Sequence, residues 1–145
     1  MKMSTKGRYG LRLMVSLAEH YGDGPVPVGT VVQEQGITSN YIHVLMGGLR
    51  TAGLVRSTRG PNGGYELTRR PGEITAFDVV AVLEGETMPA DCVAEPGTCP
   101  RAEACPTRDV WCQVAASVND VLKGLTLETL AEKRRGLSET PNYCI

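Results

Sequence analysis

Residues 28–67 read VGTVVQEQGITSNYIHVLMGGLRTAGLVRSTRGPNGGYEL, and the punctuation of this stretch decides the fold. Val31 and Val32 face inward on a predicted short helix over 28–35, Gly36 supplies a tight turn, and Ile37 packs in the corner it makes. Thr38 or Ser39 then caps a third helix, because a hydroxyl at that position accepts an otherwise unpaired amide of the first turn. Along that helix Ile42, Leu45, Met46 and Leu49 recur at spacings of 3, 1 and 3, which is one helical face. Gly53 stops it after Ala52. Residues 54–58 read as a strand, Gly60-Pro61-Asn62-Gly63-Gly64 as a turn requiring positive φ, and Tyr65-Glu66-Leu67 as the returning strand. Short helix, glycine turn, capped helix and hairpin is the order of a winged helix-turn-helix.

Working outward, residues 5–21 predict a largely buried helix, with Leu11, Leu13, Met14, Val15, Leu17 and Ala18 on most of its sides. Gly22-Asp23-Gly24-Pro25 ends it, and Val26-Pro27 is extended. On the other flank, residues 74–83 predict a helix capped near Thr75, with Phe77, Val80, Ala81 and Leu83 inward. A loop over 86–106 follows. Thr107 is then placed to cap a long helix whose Trp111, Val114, Val118, Val121, Leu122 and Leu125 form a seam at near-heptad spacing. So little protein is left to cover this seam that it predicts pairing with the same helix of a second chain. A last helix starts at Thr126, carries Leu127, Leu130 and Ala131, and ends at Lys133-Arg134-Arg135; residues 136–145 read as a loose tail. The expected fold is mainly α with a small β wing, a winged helix-turn-helix plus a long C-terminal dimerisation helix. Residues 1–71 form the winged-helix part and 72–135 the loop and dimerisation helices.

The 145 residues carry a net charge of −1 that hides a split. Residues 1–71 hold nine Lys/Arg against four Asp/Glu, and residues 72–145 hold six against twelve, so the halves are +5 and −6. A basic half joined to an acidic one points to a polyanion on one side only. With that sign, the polar face of the third helix is expected in the major groove of double-stranded promoter DNA. Asn40, Tyr41 and His43 lie near its start, where a recognition helix approaches base edges most closely; Arg50, Arg56, Arg69 and Arg70 suit phosphates or solvent. Arg59 and Gly60 sit at the wing tip, where they can reach phosphates or the minor groove. No apolar run is long enough for a membrane span, and Lys2, Lys6, Arg8 and Arg12 interrupt any signal-peptide core, so a cytoplasmic protein is expected. The only histidines, His20 and His43, sit in no motif that suggests hydrolysis, which argues against an enzyme.

Cys92, Cys99 and Cys105 share a polar stretch with two prolines and a glycine, so they are not there to fill a core. In a reducing compartment such clustering points to metal or redox chemistry, and five cysteines make a poor closed disulfide framework. The spacings exceed those of structural zinc knuckles. They suit thiolates reaching around a larger iron–sulfur cluster. A metal-free thiol switch is the nearest competitor, and a small cluster carrier or electron-transfer protein is a third reading that the helix-turn-helix and the charge split oppose.

Several segments together resemble one family: Ser4-Thr5-Lys6-Gly7-Arg8-Tyr9, Gly36-Ile37-Thr38, Leu49-Arg50, Gly53-Leu54-Val55, the wing from Arg59 to Tyr65, and the three-cysteine loop followed by Trp111. The chain is similar, to about Leu130, to the winged-helix repressors typified by IscR, NsrR and RirA, above all to the iron–sulfur regulator IscR. The resemblance implies a homodimer, control of cluster-assembly or stress genes, and an iron–sulfur, redox or nitric oxide signal. It also implies a cluster, [2Fe–2S] rather than [4Fe–4S], on Cys92, Cys99 and Cys105, with Asn40, Tyr41 and His43 at major-groove positions and Arg59 at the wing contact. Two positions depart from the pattern. Where IscR-like proteins have a fourth ligand, a histidine, this chain has Arg108, whose guanidinium cannot ligate iron. Cys112, Asp109, a partner-chain residue or an exogenous ligand is left for that role, Arg8 standing where some relatives lend a carboxylate. His43 replaces a glutamate that helps IscR discriminate between DNA sequences.

Overall fold

The computed structural model describes residues 2–85 and 88–139. Helix α1 (Thr5–Glu19) lies at the centre, packed against four other helices and one strand. Its Leu13, Met14 and Leu17 are almost completely buried, each worth about 1.5–3 kcal/mol relative to exposure. Helix α2 (Val28–Gln35) ends at Gly36, whose φ of 65° is the left-handed cap the turn requires. Helix α3 (Ser39–Thr51) follows, with the Thr38 side chain accepting the Tyr41 amide at 3.4 Å. The predicted face is the buried one: Ile42, Leu45, Met46 and Leu49 are each 0% exposed.

Strands β1 (Val55–Thr58) and β2 (Gly64–Leu67) pair antiparallel, with Val55 opposite Leu67 and Thr58 opposite Gly64. The extended Val26 adds an isolated rung to β2, donating to the Tyr65 carbonyl at 2.8 Å and accepting from its amide at 3.0 Å. The wing is therefore anchored to the segment before α2 as well as to α3. The architecture is mostly helical with one small antiparallel sheet, as the sequence predicts.

Helix α4 (Ala76–Glu84) carries a capping box between Thr75 and Asp78. Val79, Val80, Leu83 and Ala76 are its buried positions; Ala81, expected inward, is exposed, and Phe77 is only half-buried with the Lys123 ammonium 4.8 Å above its ring. The predicted inward set was thus turned by part of a helical face. The loop is more ordered than its composition suggests: helix α5 (Asp91–Ala94) and two 3-10 turns, Pro96–Thr98 and Ala102–Ala104, fold it onto itself. Helix α6 (Pro106–Lys123) starts one residue before Thr107, because Pro106 takes the first helical position, where a missing N–H costs nothing. Residue 105, not 107, is the cap. Ala115 is the one α6 residue buried, while Val110, Trp111 and Val121 are 53%, 43% and 63% exposed.

Helix α7 (Leu127–Glu139) begins after Thr126, whose hydroxyl accepts the Thr129 amide at 3.2 Å. It returns to α1, burying Leu127 and Ala131 and pairing Arg134 with Glu19 at 2.8 Å. The helix continues to Glu139, four residues beyond the expected end at Arg135. The rest of the expected tail, residues 140–145 including Cys144, lies outside the described residues.

Candidate nucleic-acid interface and thiol loop

One exposed face joins the start of α3 to the wing. Asn40 is exposed in the first turn of α3, next to a cap that leaves amides pointing outward. Tyr41 is half-buried, its ring set edge-on to Tyr9 at 6.1 Å, and the Arg12 guanidinium lies 5.3 Å over Tyr9. Arg12 also donates to the carbonyl of Gln35 at 2.8 Å, a cation on the last turn of α2. The base of α3 is thus braced by α1. His43 is exposed, but its Nδ1 lies 2.8 Å from the Tyr65 hydroxyl on β2. Together with Ser57, Thr58, Arg59 and Gly60 it lines a groove between helix and wing.

The arginines divide by what they touch. Arg50 donates to the Ser57 hydroxyl at 3.3 Å, tying α3 to β1, and Arg56 is paired with its cross-strand neighbour Glu66 at 2.8 Å. Arg59 and Gly60 are exposed at the wing tip, and among the described residues no hydrogen bond or ion pair holds Arg59. Arg59 is therefore the cation best placed to meet a phosphate or the minor groove. The face gathers Asn40, Tyr41, His43, Arg59 and Gly60, with Arg50 behind them as a brace. Two residues here escape a sequence reading, Tyr65 and Arg12. Tyr65 looks like a plain strand aromatic, and only the register of β2 shows that its hydroxyl meets α3.

The cysteine loop hangs between α4 and α6. At its entry, Glu84 accepts from the Ser4 hydroxyl and, at 2.8 Å, from the Gly7 amide, so the last residue of α4 sits on the N-terminus of α1. Hydrogen bonding from Ser4 is the main cause that holds its carboxyl below the usual range. At the other end of α1, Glu34 accepts from Ser16 at 2.6 Å and faces His20 Nε2 at 3.0 Å. Burial opposes ionisation of Glu34, yet these bonds, with the charges of His20 and Arg134, bring its carboxyl below the usual value.

Cys92, Cys99, Cys105 and Cys112 are all free thiols and half-buried. Cys105 Sγ lies 3.1 Å from the Thr107 hydroxyl, and that contact, with the Arg108 amide second, lowers its thiol below the ordinary value. Arg108 donates from Nε to the Cys92 carbonyl at 2.9 Å, closing the two ends of the loop. The guanidinium that stands where a ligand is expected is therefore a latch. Asp109 shares a shallow hollow with Cys105 and Arg108, whereas Cys112 lies seven residues past Cys105, about 10 Å along the axis of α6. The soft thiolate donors suit an iron–sulfur centre. Their placement as folded does not: among the described residues no three His, Cys, Asp or Glu side chains come together to hold a metal ion.

Residues 3–133 match the model of the Rrf2 family, described as iron-dependent transcriptional regulators. The chain is 40% identical over 145 residues to the HTH-type transcriptional regulator CymR of Bacillus subtilis, covering 100% of both chains. The solved structure of CymR, the global cysteine regulator of B. subtilis, superposes with a TM-score of 0.77 at 39% identity, over 92% of this chain and 98% of that one. The T. potens IscR structure gives a TM-score of 0.78 at 35% identity, over 99% of this chain and 95% of that one. No helix among the described residues is long and apolar enough to cross a membrane.

Proposed function

The chain belongs to the Rrf2 family of transcriptional regulators, and from that premise we propose that it is a promoter-binding repressor, working in the cytoplasm as a homodimer, whose loop thiols sense cluster or redox status. Residues 1–71 read DNA through Asn40, Tyr41, His43 and the wing residues Arg59 and Gly60, braced by Arg50. Residues 72–135 carry the sensor and the dimer helix. The observation that carries this reading is the single exposed face joining α3 to an unpaired cation on the wing. The exposed α6 residues Val110, Trp111 and Val121 support the dimer, since among the described residues nothing covers them.

For the sensor, the family resemblance supports an iron–sulfur cluster, [2Fe–2S] before [4Fe–4S], on Cys92, Cys99 and Cys105, with Cys112 or Asp109 as the fourth donor; Asp109 shares a hollow with Cys105. The thiolates of Cys92, Cys99 and Cys105 would hold such a centre, which would supply chemistry sensitive to oxidants and nitric oxide. The second reading, a metal-free thiol switch, is favoured by the lowered Cys105 thiol and by the similarity to the cysteine regulator CymR. Anaerobic purification with iron and sulfide assays and Mössbauer spectroscopy separates the two. A coloured protein with iron and sulfide that loses both in Cys92→Ser supports the cluster. A colourless, iron-free protein whose promoter binding still responds to oxidant establishes the switch instead. Failure of either form to bind any duplex would end the regulator reading.

A further inference from the structure

The hydroxyl of Tyr65 is delivered to α3 from a rigid position. The residue is 9% exposed, its backbone amide and carbonyl both pair with Val26, and it stands opposite Ser57 in the sheet. Its oxygen lies 2.8 Å from His43 Nδ1, with the two rings 5.9 Å apart and tilted by 59°. His43 itself is exposed, and among the described residues its Nε2 has no hydrogen-bond partner. The imidazole is thus held on one side by the wing and open on the other.

We propose that Tyr65 is a positioning residue for base selection: its hydroxyl donates to His43 Nδ1, fixes the tautomer that carries hydrogen on Nε2, and makes α3 present an N–H donor to the DNA. A phenolic O–H is a good donor and a poor acceptor, while an unprotonated imidazole nitrogen is a strong acceptor, so the bond runs from tyrosine to histidine. Which ring nitrogen keeps its hydrogen is set by the bond the other one makes. An outward Nε2–H matches the acceptors of a major groove, guanine N7 and O6, adenine N7 or thymine O4, and meets the cytosine amino group donor to donor. A carboxylate at position 43 would have the opposite preference. Without the Tyr65 hydroxyl the ring exchanges tautomers and rotamers, and one helix position stops discriminating. The inference rests on the reading that α3 enters the major groove.

The test uses the full chain in two arms. Nitrogen NMR of the wild-type ring reports the tautomer directly, and enrichment from a randomised duplex library compares wild type, Tyr65→Phe and His43→Ala. The expected result is an Nε2–H signature and a wild-type preference for an acceptor-bearing base at one position of each half-site. Both variants should lose that preference by about 10-fold while keeping their preferences elsewhere and their melting temperature. An Nδ1–H signature, or a Tyr65→Phe protein with unchanged base preference, overturns the proposal and leaves the promoter-binding reading intact. A wild-type protein that enriches no sequence overturns that reading, and the proposal falls with it.

Discussion

Single residues in this protein do work that their type alone does not announce. Gly64 has a φ of 156°, and a Cβ built there would overlap the carbonyl oxygen of Val26, whose backbone is held to Tyr65 by one hydrogen bond from each residue and has nowhere to go. Gly64→Ala should therefore cost about 2 kcal/mol or more and open the wing anchor, seen as a drop in melting temperature together with weakened DNA binding. Unchanged stability would mean the Val26 rung is not a real support. Arg108 is the second case. Replacing it with Ala removes one charge-assisted hydrogen bond to the Cys92 carbonyl, worth about 1 kcal/mol, or roughly a fivefold shift toward an open loop. The rate of Cys92 alkylation should rise by that factor, and a rate equal to wild type would show that Arg108 is not the latch.

At the scale of elements, α1 is held at both ends by carboxylates that other helices supply. Glu84 from the end of α4 accepts at its N-terminus, and Glu34 from α2 accepts from Ser16 and faces His20. Both carboxyls are held below their ordinary value of 4.5. Depressed folded values mean stability that is present above the unfolded value and lost as the pH falls through the folded ones. Thermal stability should thus be flat near neutrality and decline below about pH 4.5. Glu84→Gln should lower stability at pH 7 by about 0.5–1 kcal/mol, the usual worth of an anion at a helix N-terminus, and make little difference at pH 3. Melting curves at the two pH values check this; an equal loss at both would point to packing instead. Because Glu84 is the last helical residue before the cysteine loop, the same contact links the loop's entry to the helix that braces Tyr41.

At the scale of the whole molecule, the unfinished surface is α6. Its Val110, Trp111 and Val121 are apolar side chains that the described residues leave exposed. Val121→Glu should convert the proposed dimer to a monomer in sedimentation while leaving the helical signal in circular dichroism unchanged. Promoter affinity should fall by about 100-fold, since two half-sites are then bound independently. A variant that stays dimeric would place the interface elsewhere.

The helix order, the α3 core face, the capping of α3 by Thr38 and the wing turn were legible in the chain because they depend on periodicity and on residues whose conformational preferences are local. The proposed DNA face follows, since the polar side of α3 is whatever its core side is not. Tertiary structure alone decided the rest. It turned α4 so that Val79 rather than Ala81 is buried, carried Val26 to the sheet, and set Tyr65 against His43. It also made Arg108 a latch on the loop. Each of these is a meeting of residues distant in sequence, fixed by how helices and strands dock, and spacing along the chain holds no record of such distances. The three cysteines show the divide: their grouping and chemistry are written in the sequence, but whether they converge is a property of the folded loop.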